Sequence, residues 1–267
     1  MSGEGRQRVL VLGIDTLPDL AAARVLLGQP DAQGSALRAA LGRHGARGEE
    51  APERAFVKPP LQRLCCLGLL AARRDGAEGF WRVEGLNART LAEEEEAAML
   101  ARFDRALRRG PVLVGFNSGG FDLPVLRYRA LALGVPMPNL HAGAFNSLHR
   151  YGERHLDLMD RLSGFRASAP PSLAECCALL GLPLMAAMEG ERVEGLWAAG
   201  EAARIAADCR AGLAATWLVL LRWWLATGTM PEAVVRASLR DFAEAAAAGA
   251  FGEGLGHAAA CAARLAG

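Results

Sequence analysis

The stretch from Val114 to Leu131, VGFNSGGFDLPVLRYRAL, decides how this chain is expected to fold. Its first residues complete a short apolar run that is typical of a buried strand. Two consecutive glycines then allow a tight turn, and Asp122 opens a helix that Gly134 and Pro136 end near residue 133. Asp122 stands where a helix N-cap is expected, so it has a structural explanation as well as a catalytic one.

Four strands are predicted up to this turn, and the second and third of them form a hairpin. Residues 8–14, RVLVLGI, and residues 112–116 form aliphatic runs typical of buried strands. Residues 64–71 and 80–84 are predicted to be two further strands joined by an Asp-Gly turn. The order of these strands and the helices that follow indicates an α/β fold, a mixed sheet with helices on both faces.

Two capping boxes predict where helices begin. Thr90 with Glu93 predicts a helix that runs to about residue 108, and Ser172 with Glu175 predicts one that ends near residue 181. Residues 199–227 form a long helical stretch that we expect to be two segments. Its large apolar side chains follow helical spacing, which predicts a packing stripe.

The chain is predicted to divide into a main domain, residues 1–230, and a helical C-terminal extension, residues 231–267. Residues 28–60 are rich in Gly, Arg, Pro and Ala, and we expect them to be a variable insertion that is partly helical. Pro231 is expected to start an Ala-rich helix. This helix offers an interface for a protein partner or a second copy of the chain.

Composition places weak limits on function. The 267 residues carry a formal net charge of +1, which predicts neither attraction to nor repulsion from nucleic acid. The six cysteines include the pairs 65–66 and 176–177, and their spacing fits neither a zinc site nor a disulfide framework. They are expected to be buried thiols in a reducing interior. No signal peptide and no apolar segment long enough to cross a bilayer is visible, so we expect a cytoplasmic protein with no membrane partner.

Four blocks of the chain resemble, in order, a known nuclease family. Residues 114–131 resemble the second motif of the PolB-like 3′-5′ exonucleases, which belong to the DEDD group (DEDDy-type) and have a ribonuclease H-like fold. Residues 12–20, LGIDTLPDL, resemble the first motif, and residues 207–223, ADCRAGLAATWLVLLRW, resemble the third. Residues 155–164, HLDLMDRLSG, resemble a block between the second and third motifs. The resemblance covers about residues 8–230 and implies a mixed five-stranded sheet.

The resemblance also implies a metal site from which this chain departs. Members of the family hold two divalent cations, Mg²⁺ or Mn²⁺, with four carboxylates, and such cations clamp the attacking and leaving oxygens of a phosphodiester. Only Asp122 matches its slot without change, and Asp15 stands in the slot of a glutamate. Gly13 and Gly212 occupy the two other carboxylate slots, and Asp208 replaces a tyrosine that orients water. The chain is therefore expected to be catalytically impaired or inactive, with nucleic acid binding retained.

Two other hypotheses stay open. An active exonuclease would need a rebuilt site made of Asp15, Asp122 and Asp208, with a Mg²⁺ or Mn²⁺ ion on Asp15 and Asp122. A scaffold or assembly subunit would need no metal and would use the C-terminal helix as its interface.

The resemblance assigns further residues to the pocket for a single-stranded 3′ end. These are Thr16, Leu17, Asn117 and Phe121, although Phe121 is equally well explained as a core residue. Other polar positions have mainly structural explanations: a structural hydrogen bond is expected for His155 and solvated helix positions for Arg127 and Arg129, while Asp157 is a candidate to approach the site.

Overall fold

A mixed sheet of five strands forms the centre of the molecule, and the strand order is β3-β2-β1-β4-β5. The computed structural model describes residues 7–45, 55–76, 79–142, 152–183 and 190–267. β1 is antiparallel to β2, and β2 is antiparallel to β3. β1 is parallel to β4, and β4 is parallel to β5. The strands are β1 (Gln7–Pro18), β2 (Gln62–Arg74), β3 (Trp81–Thr90), β4 (Val112–Gly115) and β5 (His155–Asp157).

Helices cover both faces of this sheet, which confirms the predicted ribonuclease H-like α/β fold. In the N-terminal half they are α1 (Leu20–Leu27), α2 (Gly34–Gly45), α3 (Glu96–Leu107), α4 (Asp122–Leu133) and α5 (Pro138–His141). In the C-terminal half they are α6 (Leu158–Leu162), α7 (Leu173–Leu179), α8 (Gly190–Ala198), α9 (Ala202–Ala226), α10 (Glu232–Ala247) and α11 (Gly256–Ala266).

Alternation along β1 divides the core into two layers. Val9 and Val11 pack with α9, α10 and α11 on one face, whereas Leu10 and Leu12 pack with α3 and α4 on the other. Successive side chains of a strand point to opposite faces, so one aliphatic run serves both layers. Because the sheet is covered on both sides, the central part of each inner strand is apolar.

The helix predicted to start at Thr90 begins later, and that prediction was wrong at its N-terminus. Thr90 is the last residue of β3, and α3 starts at Glu96. One half of the predicted capping box forms, since the Thr90 amide donates to Glu93 Oε2 at 3.0 Å, while the Glu93 amide donates to the main-chain oxygen of Thr90. These hydrogen bonds stabilise the turn between β3 and α3 and not the start of a helix. Side-chain-to-backbone hydrogen bonds of this kind occur both in turns and at helix N-termini.

The long C-terminal helix also differs from its prediction. α9 is one continuous helix of 25 residues rather than two segments. Its predicted packing stripe is confirmed, because Leu213, Trp217, Leu220 and Trp224 are all buried. The other helices predicted with it, α7 behind a complete capping box and α10 after Pro231, are present as expected.

The C-terminal helices complete the core. α10 packs against β3 and α9, and Ser238 on α10 accepts a hydrogen bond from the Trp81 amide at 2.9 Å. Phe242 is fully buried in the same layer. α11, which lies in the predicted helical extension, packs against α10. The apolar face of α10 is therefore buried within this chain.

The predicted insertion, residues 28–60, is partly helical as expected, since it contains α2. Leu37 and Leu41 of α2 form a small apolar cluster with Ala23 and Val57. Residues 46–54 lie outside the described residues. Within the described ranges, no helix is both long enough and apolar enough to cross a membrane.

Candidate functional site

A cavity of about 600 Å³ lies where β1, the β4–α4 turn and α9 meet. Its volume falls in the range of small-molecule and cofactor sites. We call it the candidate pocket. It brings together seven residues that the sequence singled out: Gly13, Asp15, Asn117, Phe121, Asp122, Asp208 and Gly212.

The β4–α4 turn is held by the carboxylate of Asp157. Asp157 Oδ1 accepts a hydrogen bond from the Asn117 amide at 2.9 Å, and Oδ2 accepts one from the Gly119 amide at 2.8 Å. Asp157 also caps α6 through the Met159 amide at 3.1 Å. Asn117 has a φ of 60°, a left-handed conformation that asparagine tolerates better than most residues. Both oxygens of Asp157 are thus engaged in fixing the turn.

His155 supports the same turn from inside. Its Nε2 lies 2.9 Å from Ser118 Oγ, and both residues are buried. Burial lowers the pKa of the His155 imidazole, which favours its neutral form. The prediction of a structural hydrogen-bonding residue is confirmed.

Asp122 is the first residue of α4, and its predicted N-cap position was wrong. Phe121 holds the N-cap position and makes no side-chain hydrogen bond to the helix. The Asp122 carboxyl is buried, and burial raises its pKa to about 8. The carboxylates of Asp157 and Asp15 add to this increase, while backbone hydrogen bonds at Asp122 and Ile14 oppose it. Asp122 is therefore largely protonated at neutral pH.

Asp15 lies on the adjacent strand with its carboxyl at the floor of the candidate pocket. Burial raises its pKa to about 7, a hydrogen bond from Cys209 opposes this, and the charge of Asp208 adds to it. The Oδ2 atom is buried and has no hydrogen-bond partner among the described residues. Buried polar atoms are normally paired, so this oxygen is a position where a ligand or ion is expected.

The two glycines in carboxylate slots both have room for a side chain. A Cβ atom at Gly212 would meet nothing within 4 Å, and one at Gly13 would touch Leu213 Cδ2 at 3.4 Å. Both positions line the candidate pocket. A Cβ atom is therefore accommodated at both glycine positions by the backbone as it stands.

Asp208 lies on α9 one helical turn before Gly212 and also lines the candidate pocket. Asp15, Asp122 and Asp208 are the carboxylates among its described lining residues. A pair of hard divalent cations needs several carboxylate oxygens and a shared ligand set. With Gly13 and Gly212 contributing none, this donor set does not fit two such cations.

The four residues predicted to contact a nucleotide occupy two environments. Asn117 and Phe121 line the candidate pocket. Thr16 and Leu17 do not, and Leu17 packs in a separate apolar cluster beneath α8 and α9. The Phe121 ring lies 5.7 Å from the exposed ring of Phe56, so Phe121 is both a pocket wall and a packing residue.

A buried ion network was missed by the sequence reasoning. Arg129 donates to both oxygens of Glu96, at 2.7 and 2.9 Å, and to Asp19 Oδ2 at 2.5 Å. Glu96 Oε1 also accepts from the Leu64 amide at 2.7 Å. The predicted solvated position of Arg129 was wrong, since its side chain is buried. Nothing in the local sequence pairs Arg129 with an acid 33 residues earlier.

The cysteines are buried and free, as predicted. Cys66 and Cys209 nevertheless lie close together in space beside Asp15. The sequence reasoning missed this grouping because the residues come from three separate elements. Spacing along the chain reveals metal ligands only when they belong to one or two local segments.

The fold and the candidate pocket together define a ribonuclease H-like domain of the exonuclease type. A family model described as a predicted 3′-5′ exonuclease related to the exonuclease domain of PolB matches residues 54–252. The chain belongs to this family. The β1 block with Gly13 and Asp15 precedes the matched residues, whereas Asp122, Asp208 and Gly212 lie within them. No curated protein matches this sequence.

Proposed function

We propose that this chain is a 3′-5′ exonuclease homologue that has lost efficient two-cation catalysis and binds the 3′ end of single-stranded nucleic acid in the candidate pocket. The observation that carries this proposal is the presence of glycine, which has no side-chain ligand, at positions 13 and 212. Both face an open pocket of nucleotide size, and neither supplies a cation ligand. Losing two of four ligands removes the arrangement that activates the nucleophile.

The protonation of the remaining acids supports binding without a metal pair. Asp122 has a pKa of about 8 and Asp15 one of about 7, so the pocket carries less negative charge at neutral pH than three aspartates suggest. A protonated carboxyl can donate a hydrogen bond to a phosphate oxygen. Arg166 places a guanidinium nitrogen 3.3 Å from Asn117 Oδ1, at the side of the same pocket. Phe121 offers a face for base stacking.

A cleavage assay tests the loss of catalysis. Labelled single-stranded DNA and RNA are incubated with the full chain and Mg²⁺ or Mn²⁺, and we expect no shortening from the 3′ end. Robust shortening that Asp122→Ala abolishes would contradict the proposal.

A binding assay tests the retained pocket. Fluorescence anisotropy with a short oligonucleotide, in the presence of a chelator, should show binding that Phe121→Ala weakens about tenfold or more, in line with the loss of one stacked base. Tyr128→Ala is the matched control, because Tyr128 is an exposed aromatic residue on α4 outside the pocket lining. Equal affinity of both variants and the wild type would contradict end binding at this site.

The alternative is an active enzyme with a rebuilt site. The observation that favours it is the position of Asp208, which lines the candidate pocket and raises the pKa of Asp15 through its charge. Calorimetry with Mn²⁺ should then show binding that Asp208→Ala removes. The absence of Mn²⁺ binding to the wild type would refute this alternative.

Restoring the family's residues at these positions tests whether this sequence has been aligned correctly with the family's motifs. Gly13→Asp and Gly212→Asp, combined with Asp15→Glu and Asp208→Tyr, should produce metal-dependent 3′-5′ cleavage, because both glycine positions admit a Cβ atom. The same quadruple variant carrying Asp122→Ala is the control and should be inactive.

A further inference from the structure

Three metal-binding side chains from distant parts of the sequence meet under the candidate pocket. The carboxylate of Asp15 and the sulfur atoms of Cys66 and Cys209 lie within 4.8 Å of one another. Cys66 is fully buried and Cys209 nearly so, while Asp15 and Cys209 border the pocket. The family's two-cation chemistry uses four carboxylates and does not require this group.

The sheet register explains why Asp15 and Cys66 are neighbours. They are directly opposed residues of the antiparallel strands β1 and β2, and opposed side chains lie on the same face. A bulge follows at once, because Thr16 pairs with Leu64 and Cys65 is left without a partner in the register. Bulges re-aim side chains at functional sites.

The close approach of α9 brings in the third ligand. Gly68 lies two residues after Cys66 on the same face of β2, and a Cβ atom there would be only 2.7 Å from Cys209 Sγ. Gly13 is the register partner of Gly68, so two opposed glycines lie beneath the helix. The absence of a side chain at Gly68 lets Cys209 Sγ descend to 3.8 Å from the carbonyl oxygen of Gly13.

We propose that Asp15, Cys66 and Cys209 form a binding site for one Zn²⁺ ion, with the fourth coordination position directed to the candidate pocket. Zn²⁺ takes sulfur at about 2.3 Å and carboxylate oxygen at about 2.0–2.2 Å in tetrahedral geometry, which places ligand atoms about 3.5–3.8 Å apart. The observed separations, at most 4.8 Å, require the side chains to move together by about 1 Å. On binding, each thiol releases its proton to solvent.

The donor types select the metal class. Two thiolates and one carboxylate suit Zn²⁺, whereas Mg²⁺ and Mn²⁺ prefer oxygen ligands. The ion would also supply a partner for Asp15 Oδ2, the buried oxygen that has none among the described residues. This site does not depend on nucleic acid binding, since it is built from the sheet and α9 alone.

Cobalt substitution tests the ligand set in the full-length protein. After treatment with a chelator and a reductant, the wild type should bind one Co²⁺ and develop a thiolate-to-cobalt charge-transfer band that Zn²⁺ displaces. Cys66→Ala and Cys209→Ala should each lose this band. Cys177→Ala is the matched control, because Cys177 is an equally buried free cysteine on α7, and it should retain the band. A band that survives both Cys66→Ala and Cys209→Ala, or no band in the wild type, overturns the proposal.

A second measurement needs no variant and covers the case in which a buried substitution prevents folding. X-ray absorption of the Zn²⁺-loaded wild type should show two sulfur neighbours at about 2.3 Å. Zn²⁺ should also raise the Tm of the wild type and of Cys177→Ala by mass action. A shell of oxygen and nitrogen alone overturns the proposal.

Discussion

Replacing Asp122 by asparagine should stabilise the fold, and the gain should grow as the pH rises. An aspartate in an unfolded chain has a pKa of about 3.9, whereas burial raises the pKa of Asp122 to about 8. Between these values the folded state holds a proton that the unfolded state has released. The free energy of unfolding therefore falls as the pH rises from about 4 to about 8.

The size of the effect follows from the two pKa values. Each unit corresponds to about 1.4 kcal/mol, so a difference of about four units gives a limit of about 5–6 kcal/mol. At pH 5 the part of this stabilisation that corresponds to about one pKa unit has already been lost. The remaining three units correspond to a loss of about 4 kcal/mol in unfolding free energy between pH 5 and pH 9. Asparagine has nearly the same shape and does not titrate. The unfolding free energy of Asp122→Asn should therefore lack this part of the pH dependence.

Urea denaturation at pH 5, 7 and 9, with a chelator present, measures the prediction. The difference in unfolding free energy between Asp122→Asn and the wild type should increase steadily with pH in favour of the variant. Asp31→Asn is the control, since Asp31 is exposed in the loop between α1 and α2. If Asp122→Asn and the wild type change in parallel across this range, the carboxyl is not buried in the uncharged state and the reasoning fails.

Two further predictions concern packing. Arg129→Met should cost about 3–5 kcal/mol in urea denaturation, because it leaves the buried carboxylate of Glu96 and the partly buried carboxylate of Asp19 without their cationic partner. Arg204→Met, which removes an exposed ion pair with Glu201 at the start of α9, should have little effect, and equal losses would contradict a buried network. Gly68→Ala should cost about 1–3 kcal/mol because its Cβ would overlap Cys209 Sγ at 2.7 Å. Gly212→Ala should instead stabilise α9 by about 0.5–1 kcal/mol, since its Cβ meets nothing, and the Tm values of the two alanine variants should shift in opposite directions.

Much of the fold could be predicted because its signals are local. The aliphatic run at residues 8–14 predicted β1, and the glycine after residue 133 predicted the end of α4, where Gly134 adopts a left-handed conformation. Capping chemistry was less decisive. The Ser172 box opens a helix, whereas at Thr90 the Glu93 carboxylate accepts from the Thr90 amide in a turn after β3. Local pattern alone does not distinguish these outcomes, because the sheet extends β3 to Thr90 before a helix can start.

The remaining features depend on contacts between distant segments. Arg129 lies on a helix whose sequence gives no indication of burial, and only the packing of α4 against the start of α3 brings it to Glu96. The grouping of Asp15, Cys66 and Cys209 requires the register of two strands and the height of a helix above them. Such coincidences have no period or spacing in the sequence, so they could not be predicted from it.

The block that decided the fold is explained by structure without any contribution from catalysis. A Cβ atom at Gly115 would lie 2.4 Å from Ser118, and the Asn117 and Gly119 amides are fixed by Asp157. The turn that presents Asp122 is thus held by the carboxylate of Asp157, which is not among the residues in the family's metal-binding slots. A well-formed turn at Asp122 is therefore compatible with both an active and an inactive enzyme. The positions that decide between the two are Gly13 and Gly212, on β1 and α9, and catalysis has to be tested there.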